Sequence, residues 1–166
     1  EQYSDTEMME WQGKDEAFKP AIQRMGADAN VVKTAGLELI TGRDIDVYTY
    51  PADSTAVLIN ETALGFMGFE NPIGEIIKDD DQEYRIVGVV KDFIIDSPFR
   101  KPGGILIFGP QIQQNFIHIR LSGSDLPETM AQVEAVFKKF NPGSPFGYKF
   151  ADEVHAQKFA DQHLSL

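Results

Sequence analysis

Two apolar runs, Val57-Leu58-Ile59 and Tyr84-Arg85-Ile86-Val87-Gly88-Val89-Val90, stand on either side of a stretch punctuated by glycine, proline and aspartate. Short β-branched runs bounded by turn residues suit buried strands, so a fold for this chain must cover both runs. The residues between them set the path. Asn60 ends the first run, and its side chain can accept from the free N–H groups that open a helix, so it is read as the N-cap of a short helix from Glu61 to about Met67. Gly68 can close that helix, because glycine takes the left-handed conformation without a Cβ clash. Asn71-Pro72-Ile73-Gly74 reads as a turn, and Ile76 and Ile77 resume an extended segment. Asp79, Asp80 and Asp81 are expected at the solvated tip of a hairpin whose return strand is Tyr84 to Val90.

The flanking sequence is read the same way. A polar lead-in carrying Met8, Met9, Trp11 and Phe18 runs into a strand near Ala21 to Met25. The loop from Arg43 to Asp53 holds Tyr48, Tyr50 and Pro51, and its aromatics are expected to pack on the domain. Asp96 to Gly104, with prolines, glycines and the basic pair Arg100 and Lys101, reads as a surface loop, and Ile105 to Phe108 as a short strand. Phe116 to Leu121 reads as a strand with one polar face. Asp125, Pro127 and Glu128 open the clearest helix, with Glu128 completing a capping box. Met130, Val133, Phe137 and Phe140 form a stripe along it that should lie on a sheet. Asn141-Pro142-Gly143 stops it, Phe146, Tyr148 and Phe150 alternate as a strand, and Asp152 is placed to cap a final helix carrying Val154, Phe159 and Leu164. The expected class is α+β, with a mixed sheet or sheets, helices packed on one face, a split βαβ-like lobe and a smaller strand-rich lobe.

The order of strand, Asn-Glu-x-Ala helix, Asn-Pro-Ile-Gly turn, acidic hairpin and Ile-Val-Gly-Val-Val-Lys-Asp-Phe strand resembles the extracytoplasmic domain of MacB/FtsX-like ABC transporter permeases. Asn30 to Asp44, a helix followed by Leu39-Ile40-Thr41-Gly42-Arg43-Asp44, is similar to that family's entry into the same region. Phe116 to Leu121 and the helix after it match its next strand and helix. The resemblance runs from about Ala27 to near the C-terminus and implies one extracytoplasmic permease domain over residues 1–166. It implies a strand-rich lobe over about 44–110 and a βαβ lobe over 111–166 with part of 1–43. The family usually carries a further strand–helix unit upstream, so the N-terminal part of such a domain is expected to lie outside this sequence, as are its membrane helices and any export signal.

Composition is compatible with this. The chain has 166 residues, 42% of them hydrophobic and 25% charged, enough for a buried core. No apolar run approaches the roughly 18 residues that cross a bilayer. A net charge of −11 with scattered Lys and Arg argues against nucleic acid and against docking on anionic lipid. The absence of cysteine excludes disulfides and thiolate metal sites.

Candidate chemistry is sparse. His118, His155 and His163 lack the spacing of a zinc set, and Asp79 to Asp81 with Glu83 lack the pattern and glycine of an EF-hand loop. Gly65, Gly68 and Gly74 make no dinucleotide fingerprint. Ser54 sits in no nucleophile elbow and reads as a turn residue. Asp92 beside Lys91 is read as an ion pair or loop hydrogen bond in preference to a general acid/base pair. The resemblance implies a non-catalytic domain without cofactors, on the periplasmic side of the inner membrane. Such a domain relays motion from a cytoplasmic ATPase subunit to a cargo, a periplasmic adaptor or a lipoprotein, and Arg100 and Lys101 are the candidate partner contact. Two other classes remain open at this point: a ligand-binding sensor with Tyr48, Tyr50, Phe93 and Phe99 around an apolar pocket, and a hydrolase whose carboxylates meet only in the fold.

Overall fold

The computed structural model of the protein describes residues 9–94, 103–110, 116–122 and 125–153. Two compact units divide the chain, residues 1–119 and residues 120–166.

The first unit is built on one mixed sheet. Its strands are β1 (Met9–Trp11), β2 (Ile22–Gly26), β3 (Leu39–Gly42), β4 (Ala56–Asn60), β5 (Ile76–Asp79), β6 (Gln82–Val90) and β7 (Gly104–Phe108). They lie in the order β1-β5-β6-β4-β7-β2, with β3 alongside β6. The long strand β6 makes this possible. Its first half forms an antiparallel hairpin with β5, its second half pairs antiparallel with β3, and its opposite side runs parallel to β4.

All five residues of β4 and of β7 are buried, and their side chains alternate between two cores. Val57, Ile59, Leu106 and Phe108 join Met9, Trp11, Ile22, Ile77, Tyr84 and Ile86 on one face. Leu58, Ile105 and Ile107 join Ile45 and Val87 on the other. Continuous apolar runs are what a strand covered on both faces requires. The first face is closed by α2 (Glu61–Met67), through Ala63 and Met67. The second is closed by α1 (Val31–Ala35) and the loops around Ala27, Leu37 and Val47. Helices thus reach both faces.

The expected cap is present: Asn60 accepts from the Ala63 N–H at 3.0 Å, and Gly68 closes α2 at φ 70°. Gly88 is required by a close approach. A Cβ there would overlap the Arg43 carbonyl oxygen and come within 2.8 Å of Leu58 Cδ2.

The sheet curls. Arg24 on β2 pairs with Asp79 on β5, although β7, β4 and β6 lie between those strands in the ladder. This corrects the reading of Asp79 as part of a solvated tip. Only Asp80 and Asp81 form the turn, and Asp79 is a buried strand residue, 6% exposed, with its Oδ1 lacking a partner in the protein. The alternation of β5 turns Asp79 inward with Ile77, and Arg24 compensates the charge. Residues 9–11 correct the polar lead-in: Met9 and Trp11 are buried and pair with β5 as β1.

The second unit holds α3 (Leu126–Phe140), capped by Asp125, which accepts from the Glu128 N–H at 3.0 Å. None of its residues is fully buried. Phe137 packs on Phe146 with ring centres 5.4 Å apart, and the contacts continue through Tyr148 to Phe150. Residues 145–150 therefore form a ladder of rings instead of a strand, and residues 116–122, of which 116–119 belong to the first unit, are likewise in no strand. Among the described residues of this unit there is no sheet for the α3 stripe to lie on. Asp152 lies inside a helical stretch, 151–153, and the residues it was expected to cap fall outside those described.

Candidate functional site

Polar groups of the first unit gather in two clasps and one groove. The first clasp joins the ends of β4 and β6 to the start of β7. Asn60 is 0% exposed, and all its bonding capacity is used. Its Oδ1 accepts from the N–H groups of Ala63 at 3.0 Å and Ile105 at 2.8 Å. Its Nδ2 donates to Asp92 Oδ1 at 2.6 Å and to the Gly103 carbonyl at 2.9 Å. Asp92 in turn accepts from the Thr62 N–H at 3.0 Å and the Thr62 hydroxyl at 2.7 Å, while its own N–H donates to Glu61 at 3.1 Å. Asp92 is thus a loop hydrogen-bond acceptor, and a negative charge at the N-terminus of α2 is favourable there. Its neighbour Lys91 pairs with Glu38 at 2.7 Å, and that hydrogen bond raises the Lys91 pKa.

The second clasp follows β3. Arg43 grips Asp53 through two parallel bonds, Nη1 to Oδ2 at 2.5 Å and Nη2 to Oδ1 at 2.7 Å. Its guanidinium lies over the Tyr50 ring at 4.1 Å. Asp53 also accepts from the Asp46 N–H at 2.9 Å and is 2% exposed. Burial pushes its carboxyl up, but the Arg43 hydrogen bonds and the Asp46 N–H outweigh burial and hold it below the usual carboxylate range. Asp44 shows the opposite balance: burial raises it, even though it accepts from the N–H groups of Val32 and Ile45. By accepting from Val32, Asp44 also ties the loop to the first turn of α1.

An open groove of 430 Å³ lies where β3 and β5 diverge from β6. Ile73, Gly74, Gly42 and Arg43 flank it, with Arg85, Ile86 and Val87 of β6 behind them. The aromatics expected around a pocket are elsewhere. Tyr48 is 77% exposed with its hydroxyl on Asp28, so it does not pack on the domain as expected. Tyr50 lies beneath Arg43, and Phe93 packs on the second core.

Ser54 lies in the single-turn helix Pro51–Thr55, and His118 is exposed. Arg100, Lys101, Phe99, His155 and His163 lie outside the described residues. Among the described residues no three His, Asp or Glu side chains are placed to hold a metal ion, and no helix is long and apolar enough to cross a membrane. Sequence reasoning missed the Arg43–Asp53 clasp and the Arg24–Asp79 pair. The partners in each are separated by intervening elements, and a charge sequence does not announce such pairs.

Comparison with known proteins agrees with this architecture. The periplasmic region of MacB from Actinobacillus actinomycetemcomitans superposes with a TM-score of 0.62 at 16% identity, covering 94% of this chain and 72% of that one. A permease-protein domain from Porphyromonas gingivalis superposes with a TM-score of 0.53 at 17% identity, covering 91% of this chain and 77% of the other. At such identities these likenesses speak for the fold. No curated protein matches the sequence. The family model of the MacB-like periplasmic core domain matches residues 5–136, and the chain belongs to that family, the extracytoplasmic domains of ABC transporter permeases.

Proposed function

We propose that this domain does mechanical work without catalysing a reaction, relaying motion driven by a cytoplasmic ATPase to a cargo or partner protein on the periplasmic side of the inner membrane. The observation that carries the reading is the use made of the polar groups. Asn60 and Asp92 fasten a helix to three strands, and Arg43 and Asp53 fasten a loop to the sheet edge. Sites built for catalysis leave a nucleophile or base facing open space. Here the strongest polar constellations cross-link the fold, as suits a body that must move without deforming. In this reading residues 44–110 serve as the strand-rich lobe, and residues 111–166 with part of 1–43 as the βαβ lobe.

Arg100 and Lys101 remain the proposed contact with an adaptor, lipoprotein or other periplasmic partner, on the ground that a basic pair among prolines and glycines of an acidic chain suits a recognition loop. The test uses the full-length permease with its ATPase. An Arg100→Glu, Lys101→Glu variant should keep its fold and its ATP hydrolysis and lose transport. Unchanged transport removes that loop from the interface, and turnover of any substrate by the isolated domain overturns the non-catalytic reading.

A further inference from the structure

We propose that the groove between Ile73-Gly74 and Gly42-Arg43 docks an extended protein segment that presents one apolar side chain flanked by carboxylates.

Three observations converge on that occupant. The groove is open and shallow, which suits one anchoring side chain of a longer chain better than a small ligand that must be largely enclosed. Its rim is apolar: Ile73, 44% exposed, reaches over Gly42, where an added Cβ would come within 2.7 Å of Ile73 Cδ1, and the β6 backbone at Ile86 and Val87 lies behind. Gly74, at φ 97°, leaves open space where a side chain would project, so the mouth on that side is bare backbone.

The charge comes from Arg85. Arg43 also lines the groove, but Asp53 already neutralises it. Arg85 donates only to the Gly74 carbonyl, at 3.0 Å, and has no carboxylate partner among the described residues. The chain as a whole is acidic, so an incoming acid is drawn here by a local contact: Arg85 is exposed and stands without such a partner at the lip of an apolar groove. A guanidinium is also suited to a carboxylate, which it can meet through two parallel bonds. The free flank of β3 runs into this corner: Leu39 to Gly42 are all exposed and, among the described residues, pair only with β6. An extended segment, more than a compact ligand, fits an edge of that kind. This inference is independent of the motion-relay reading, because a relay can work with the groove empty.

The test is a titration of the protein with a capped Glu-Glu-Leu-Phe-Glu-Glu peptide, followed by NMR at the Gly42, Gly74 and Val87 amides. Saturable shifts confined to those amides are expected. Arg85→Glu should melt like the wild type and bind roughly tenfold or more weakly. Ile73→Ser, which keeps the charge and removes the apolar rim, should also weaken binding. A Lys-Lys-Leu-Phe-Lys-Lys peptide should not bind. Shifts that spread over the surface, equal binding by both variants and the wild type, or binding of phosphatidylglycerol vesicles in place of the acidic peptide would overturn the proposal.

Discussion

Phe108 and Phe116 stand close together in the chain and end in opposite surroundings. Phe108 is 0% exposed at the end of β7, with Tyr84 edge-on at 4.6 Å and Arg24 over its ring. Phe116 is 80% exposed, and its neighbour Ile117 78%. Both belong to short apolar runs. The difference is the ladder. β7 lies between β4 and β2, which take its backbone groups on both sides, so its side chains meet covered faces. Residues 116–122 have no ladder partner among the described residues. Apolarity nominates a strand, and a neighbour with free backbone groups makes it one.

The comparison breaks most visibly if Phe108 and Phe116 cost the same to truncate. Phe108→Ala should cost about 3–5 kcal/mol, since the ring fills a sealed core and supports both Tyr84 and Arg24. Urea unfolding followed by tryptophan fluorescence measures this, because Trp11 shares that core. A loss below about 1 kcal/mol would mean that the first face is looser than the structure shows.

The second largest effect is expected at Gly88, where β3, β4 and β6 meet. Gly88→Ala puts a Cβ against the Arg43 carbonyl oxygen and Leu58, and a backbone atom cannot swing away as a side chain can. The cost is expected at about 1–3 kcal/mol from overpacking, with a lower melting temperature. Gly143→Ala is the matching change in the second unit. An added Cβ would meet nothing within 4 Å there, so the melting curve should stay in place.

The centre of the fold was legible because local and tertiary demands agree there. Asn60 and Gly68 sit where a helix needs them, and the run from Tyr84 to Val90 has no other use than a covered strand. What remained hidden depends on distant partners. Asp79 reads as one of three equivalent aspartates until Arg24 reaches it across the curl of the sheet. Asp53 reads as the last residue of a loop until Arg43 grips it. Phe146, Tyr148 and Phe150 alternate like a strand, yet the same spacing also lets successive rings contact one another without a ladder partner. Within the groove, Ile73 and Gly74 were legible as a turn, but nothing in their spacing placed Gly42 and Arg43 beside them.

The Arg43–Asp53 clasp sharpens the comparison through pH. Asp53 is held below its unfolded value of about 3.9, so its contribution to stability is fully present above that pH and is lost as pH falls through the folded value. Asp44 acts in the opposite sense: burial raises its folded pKa, so its contribution falls as pH rises through the same region and above it. The clean measurement is therefore the difference between the wild type and Asp53→Asn. The wild type should lose stability more steeply below about pH 4. Parallel curves would mean that Asp53 is not charged in the folded clasp.

The smallest effect is expected at the exposed end of the comparison. Phe116→Ser removes a ring that is 80% exposed and touches no covered face, so its folding cost should fall within about 0.5 kcal/mol. Ile117→Ser, at 78% exposure, should behave alike, and a double variant should show additive, near-zero effects by urea unfolding. A loss of about 2 kcal/mol or more would place these side chains in a packed interface and make residues 116–122 a covered strand after all.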